Sequence, residues 1–163
     1  MRSVIIALRC SVALALSLLS WDAGAQGKKD KTCALDSGVM AFGQYDPMNT
    51  APLDGMGRVS FRCGNKVGES REALIVQISL STGQAGTYQR YMSGGRDRLN
   101  YNLYLDPVRT QIWGDGSGGT QVFSGKAQPN NKVTVIPVYG RIVAEQDVSA
   151  SIYVDTIIVT IDF

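Results

Sequence analysis

The sequence predicts an all-β, immunoglobulin-like β-sandwich, and three observations carry that prediction. Apolar side chains alternate with polar ones through most of the chain instead of recurring every three or four residues, which is the period of a pleated strand with one buried face. The alternating runs are separated by turn material, in keeping with 18 glycines and 5 prolines among 163 residues. Hydrophobic residues, 44% of the total, are spread along the chain and suffice for the core of about one domain.

Taken in order, the first stretch is an address rather than an element. Arg2 and Arg9 give it a basic start, Ser11 to Ser20 is apolar, and Ala23-Gly24-Ala25 offers small residues for cleavage. Residues 1–25 therefore read as a secretory signal peptide, with Gln26 first in the mature chain. The apolar run falls short of the ~20 residues a membrane span needs, and Asp22 interrupts it. Cys10 leaves with the signal, so Cys33 and Cys63 remain as a pair thirty residues apart. In an oxidising compartment one disulfide is the natural reading, and two reduced thiols the weaker one. A short polar segment, 26–32, then precedes a domain expected over 33–163.

Of the expected strands, one around Leu35 to Phe42 is the least distinct. In Val59 to Cys63 the apolar side chains share a face, as do Leu74, Val76, Ile78 and Leu80. Leu99, Tyr101, Leu103 and Leu105 alternate with Asn100, Asn102 and Tyr104; Lys132 to Val143 is a β-branched run; Thr120 to Phe123 also reads as strand. From Ala150 onward the chain ends in a strand that places Ile157, Val159, Ile161 and Phe163 on one side. Turns are expected at Tyr45-Asp46-Pro47, Leu53-Asp54-Gly55, Ser93-Gly94-Gly95, Gly114 to Gly119, and Gln128 to Asn131. About six good strands stand against the seven of a constant-type immunoglobulin sandwich. Since the apolar alternation runs to Phe163, the sandwich is expected to lack its final strand and to leave a sheet edge and a core groove open. Strand addition from another molecule would cover it. Alternatively Pro137 splits Lys132 to Val143 into two strands and completes the sandwich internally; periodicity leaves both readings open.

Composition narrows the chemistry. With no histidine, the usual Ser-His-Asp and Cys-His nucleophiles, an imidazole base and His-bearing metal sites are excluded. A net charge of +2 and the absence of any basic run exclude a nucleic-acid partner. Gly114, Gly116 and Gly119 satisfy G-x-G-x-x-G, yet Thr120 to Phe123 reads as strand rather than helix, which makes the motif a loop. Asp106, Asp115 and Asp155 have no chelating spacing and read as turn or cap residues. Tyr88, Tyr91, Tyr101, Tyr104 and Trp113, with Arg90, Arg96 and Arg98 nearby, offer the material of a binding face. The simpler expectation puts Tyr101 and Leu103 in the core, with Tyr88 and Arg90 covering a solvated strand edge.

The turn residues carry a more specific signal. Phe42-Gly43-Gln44-Tyr45-Asp46-Pro47, Gly57 to Cys63, Ser79-Leu80-Ser81-Thr82-Gly83, Leu99 to Tyr104, Trp113-Gly114-Asp115-Gly116, Val138 to Ile142 and Tyr153-Val154-Asp155-Thr156-Ile157 occur in this order. In these segments the chain resembles the spore coat protein U domain family, which also supplies the subunit domain of archaic chaperone-usher pili. The resemblance implies a non-enzymatic structural protein without cofactors: an incomplete sandwich held by a periplasmic pilus chaperone and assembled through an outer-membrane usher. A neighbouring pilus or coat subunit would then fill its groove. It also implies transit through the periplasm to the cell surface, in a pilus or a coat. The partner-strand groove would be bordered by the first strand and by Tyr153, Ile157, Val159, Ile161 and Phe163. One departure matters: 26–32 is wholly polar or glycine and cannot serve as an alternating apolar donor strand, so the chain is expected to accept a strand but not to donate one. The alternatives are a self-contained secreted module binding carbohydrate or protein through its loops and, less favoured, an exported hydrolase using carboxylates alone.

Overall fold

The computed structural model describes residues 31–65 and 73–163. The expected signal peptide, 1–25, lies outside the described residues, as does most of the polar segment after it; Lys31 and Thr32 already belong to the first strand.

Among the described residues eight strands form two sheets: β1 (Lys31–Ala41), β2 (Leu53–Asn65), β3 (Ile75–Leu80), β4 (Tyr91–Gly94), β5 (Asp97–Tyr104), β6 (Phe123–Lys126), β7 (Thr134–Ile142) and β8 (Val159–Asp162). One sheet has the order β1-β2-β7-β5-β4 and the other β6-β3-β8, with every strand pair antiparallel. The only helical piece among the described residues is a single 3-10 turn, Gly83–Ala85.

The alternation read from the sequence becomes the core. Val59, Phe61 and Cys63 of β2, Val76, Ile78 and Leu80 of β3, Leu99, Tyr101 and Leu103 of β5, and Ile136, Val138 and Ile142 of β7 are all buried. Trp113, from the β5–β6 connection, is fully buried and donates its indole N–H to the Ile78 carbonyl at 2.8 Å. Cys33 lies opposite Cys63 in the β1–β2 ladder and is bonded to it. Further along the same ladder a Cβ on Gly57 would run into the Val39 carbonyl oxygen and lie 2.8 Å from Met40 Sδ. Glycine there lets β1 approach its neighbour closely.

Three expectations need correction, and the alternative left open at Pro137 is decided. Leu53-Asp54-Gly55 is the start of β2 rather than a turn, because it pairs with Ile142, Arg141 and Gly140 on β7. Ser93 and Gly94 end a strand, β4, that alternation does not show over four residues; the turn is Gly95-Arg96. Pro137 does not split β7. It sits opposite Arg58 of β2, beyond the end of β5 at Tyr104, so β7 has a neighbour on one side only there, the setting in which a strand tolerates proline. The final strand is shorter than expected. Only Val159–Asp162 is strand, and the residues before it cross between the sheets on side-chain hydrogen bonds and one isolated backbone bridge, Val154 to Ser93.

Asp54 lies on the exposed face of the larger sheet, where it accepts two bonds from Arg141 at 2.7 and 2.9 Å and pairs with Arg109 at 3.1 Å. Those bonds from Arg141 hold its carboxyl below the usual value. A carboxyl depressed in the folded state stabilises the fold above its unfolded pKa of about 4, and that contribution is lost as pH falls through the folded value. Asp54→Asn should therefore cost about 0.5–1 kcal/mol at pH 7, small because the pair is exposed, and nothing at a pH below the folded value of that carboxyl. Urea melts at the two pH values check this. Replacing both Cys33 and Cys63 by alanine should cost about 3–4 kcal/mol, as expected for releasing a loop of this length, read as a lower urea midpoint.

Candidate functional site

The two sheets leave an apolar groove between them. Among the described residues β1 is bonded only to β2 and β8 only to β3, so each carries a free edge, and the two lie on the same side of the sandwich, where Val159 faces Gly38. Between these edges lies a cavity of about 330 Å³. Gly38 and Met40 line it from β1, Tyr101 and Leu103 from β5, Val138 from β7, and Tyr153, Ile157 and Val159 from the segment entering β8. Val159 reaches across the sandwich toward Gly38, where an added Cβ would meet it at 4.0 Å and nothing nearer. Past Met40, Phe42, Met92 and Tyr153, which line both spaces, a wider cavity of about 990 Å³ opens between the β1–β2 loop and Val148–Tyr153.

Of the five groove residues expected from the sequence, the structure brings Tyr153, Ile157 and Val159 into the cavity wall. Ile161 pairs with Ile78 and packs against the core instead, and Phe163, 54% exposed, does not line the cavity. The sequence pointed to the first strand and the β8 side; the residues from β5 and β7 that form the floor were visible only as core positions.

The wall near β8 is fixed by polar contacts. Ser81 donates its N–H to the Ile158 carbonyl at 2.9 Å, and its hydroxyl oxygen accepts the Ile158 N–H at 2.9 Å. Asp155 accepts from the Gln84 N–H at 3.1 Å and from the Tyr101 hydroxyl at 2.7 Å. Its carboxylate fills the space where a Cβ on Gly83 would stand, and Gly83 has φ of 64°. Glycine is required there on both counts. Gln84 also donates to the carbonyls of Tyr91 and Val154. Burial, together with the hydrogen bond to Asp155 and that residue's charge, pushes the Tyr101 hydroxyl well above the usual tyrosine value. Tyr101 is accordingly a standing donor.

The aromatic and arginine residues do not share a binding face. Tyr101 and Trp113 are core, and Arg98 stacks on Tyr91 at 4.4 Å within the β4–β5 hairpin. Arg90 corrects the expectation of a solvated strand edge, because it is only 1% exposed. Its guanidinium donates to the Ser81 carbonyl at 3.0 and 2.7 Å, to Asn102 Oδ1 at 2.7 Å and to the Trp113 carbonyl at 2.8 Å. Burial lowers its pKa, while nearby Tyr101, Tyr88 and Asp155 oppose that shift. Guanidinium is basic enough to stay charged regardless. Arginine is rarely buried, so nothing in the local pattern marked it.

Asp106 accepts from the N–H groups of Thr110 and Gln111, and Asp115 from that of Ser117, so both are turn residues. Asp155 is not, since it lies in the groove. Gly114, Gly116 and Gly119 lie in a loop that leads to β6. Among the described residues no three His, Cys, Asp or Glu side chains come together to hold a metal ion, and no helix is long and apolar enough to cross a membrane.

A family model, a sequence relative and a solved structure match this chain. The family model for the Spore Coat Protein U domain matches residues 6–160. Protein U of Myxococcus xanthus is 30% identical, over 80% of this chain and 77% of its own length. A chain in the crystal structure of the CsuC–CsuE chaperone–tip adhesion subunit pre-assembly complex, from the archaic chaperone-usher Csu pili of Acinetobacter baumannii, superposes with a TM-score of 0.54 at 20% identity. That superposition takes in 82% of this chain but only 40% of the other, and it shows a shared fold.

Arg90→Met should cost at least about 3 kcal/mol in urea denaturation, because it leaves the Ser81 and Trp113 carbonyls without their side-chain donor, while Asn102 Oδ1 keeps only the Leu103 N–H. Arg98→Met, on the surface, should stay within about 0.5 kcal/mol of the parent.

Proposed function

Because the chain belongs to the Spore Coat Protein U domain family, we propose that it is a non-enzymatic structural subunit of a surface assembly, coat or pilus, completed by a β-strand from another molecule. The observation that carries this reading is the apolar groove between the free edges of β1 and β8. Such a groove offers a strand two things at once: unpaired backbone groups along an edge, and a floor of apolar side chains for every second residue of the newcomer. Among the described residues that line the groove the one carboxylate, Asp155, is engaged by Tyr101 and Gln84 and has no second carboxylate beside it.

On this reading the signal peptide exports the chain, a periplasmic chaperone covers the groove in transit, an outer-membrane usher receives it, and a neighbouring subunit supplies the final strand. The solved structure that shares this fold is a complex of a chaperone with a tip adhesion subunit before assembly, which supports the chaperone step. Tyr153, Ile157 and Val159, with Gly38 and Met40 opposite, form the accepting surface. Cleavage after Ala25 leaves a polar stretch that β1 has partly absorbed at Lys31 and Thr32, so the chain accepts a strand and does not donate one.

The test uses the exported chain and a synthetic decapeptide alternating valine with threonine. At a hundredfold excess over its dissociation constant such a peptide should stabilise the chain by about 2.7 kcal/mol, seen as a raised melting temperature. Gly38→Val should leave the peptide-free chain as stable as the parent or more so, since its first side-chain atom meets nothing closer than Val159 at 4.0 Å. The same substitution fills the groove and should abolish the response to peptide. A parent chain indifferent to the peptide would count against the reading.

A further inference from the structure

An empty apolar groove has a strong tendency to close, because sheets that move together bury the exposed floor and remove the void. The groove between β1 and β8 stays open, and one hydrogen bond stands across it. Tyr101 belongs to β5 of the larger sheet and Asp155 to the segment that enters β8 of the smaller one; both line the cavity, and they meet at 2.7 Å. Asp155 cannot follow a collapse freely, since its carboxylate is seated against Gly83 and bonded to the Gln84 N–H. Tyr101 is held as well. Its ring packs edge-on against Phe42, 5.8 Å between centroids, just past the end of β1. One side chain thus touches both walls of the groove and forms part of its floor.

We propose that the Tyr101–Asp155 hydrogen bond is a strut that sets the width of the groove before any partner arrives, making Tyr101 a positioning residue for capture of the completing strand. The proposal rests on the strand-accepting reading, and it adds that the acceptor is built in advance. A groove that must first reopen admits a strand only during the fraction of time it is open, so loss of the strut slows association by that fraction. A strand, once seated, fills the space itself and depends on the strut much less.

Tyr101→Phe keeps the ring, its burial and its contact with Phe42 while removing only the hydroxyl. Stopped-flow association of the valine-threonine decapeptide with the exported chain should slow about tenfold, the kinetic equivalent of one hydrogen bond, with dissociation nearly unchanged. Asp155→Asn should associate within about twofold of the parent, because its amide still bridges to the tyrosine oxygen. A hydroxyl that only stabilises the fold would lower the melting temperature of Tyr101→Phe and leave association untouched, and that result overturns the strut. The crystal structure of peptide-free Tyr101→Phe tests it independently of any peptide: the strut requires a narrowed cavity between Gly38 and Ile157, and an unchanged one refutes it. Failure of the parent to bind peptide, by contrast, overturns the strand-accepting reading and leaves that structural comparison to decide the strut.

Discussion

Along one side of this sandwich the two layers have no strand between them, so what holds them in register must lie elsewhere, and most of it converges on the buried guanidinium of Arg90. That group takes in the end of β3 in the smaller sheet through the Ser81 carbonyl, β5 of the larger sheet through Asn102, and the β5–β6 connection through the Trp113 carbonyl. Each acceptor would be costly to bury without a donor, and one planar cation with five N–H groups satisfies all of them. Trp113, held in turn by the Ile78 carbonyl, then closes the core beneath. Apolar contact alone is non-directional and would let the layers slide; these bonds do not.

The same economy positions the groove. From Val143 to Ile158 the chain passes from β7 to β8 with little ladder pairing and is secured one residue at a time: Gln146 against Asn100, Ser149 against Asp97, Val154 against Ser93, and Ile158 against Ser81. Fixed in this way, the segment presents Tyr153 and Ile157 to the cavity while its backbone meets a sheet only at the single bridge between Val154 and Ser93. A wall made of ladder hydrogen bonds would have been stiffer. It would also have consumed the backbone groups that a partner strand needs.

How far the sequence revealed this depended on the range of the interaction. Alternation identified β2, β3, β5 and β7, because burial of every second side chain leaves a local record in residues such as Val76, Ile78 and Leu80. It missed β4, where four residues hold too few alternations to register, and it extended the last strand back to Ala150, because Tyr153 and Ile157 do alternate although side chains rather than a ladder hold them. It could not resolve Pro137, whose tolerance depends on where a distant strand stops. Arg90 was misjudged for the same reason: its partners are Ser81, Asn102 and Trp113, and no local pattern announces three acceptors brought together by folding. In the groove, Val159 was legible by its period, whereas the part played by Asp155 was hidden because its partners, Gln84 and Tyr101, come from other elements.

Free edges alone do not make a strand acceptor, since two sheets have four of them and a protein that invited pairing at all four would aggregate. The other two are guarded. β4 is four residues long, and Ser93 is already bonded to Val154 in both directions. β6 is equally short and ends at Lys126, and short edges closed by a lysine are a common defence against pairing. Among the described residues β1 runs for eleven residues with no second neighbour, and beside it lies the apolar floor made by Tyr101, Leu103 and Val138. Only at that place do an edge long enough to pair and a hydrophobic surface large enough to reward pairing coincide. With near-neutral overall charge there is little long-range attraction to bring partners together, so selectivity for that edge has to come from shape, and shape is what the buried polar bonds preserve.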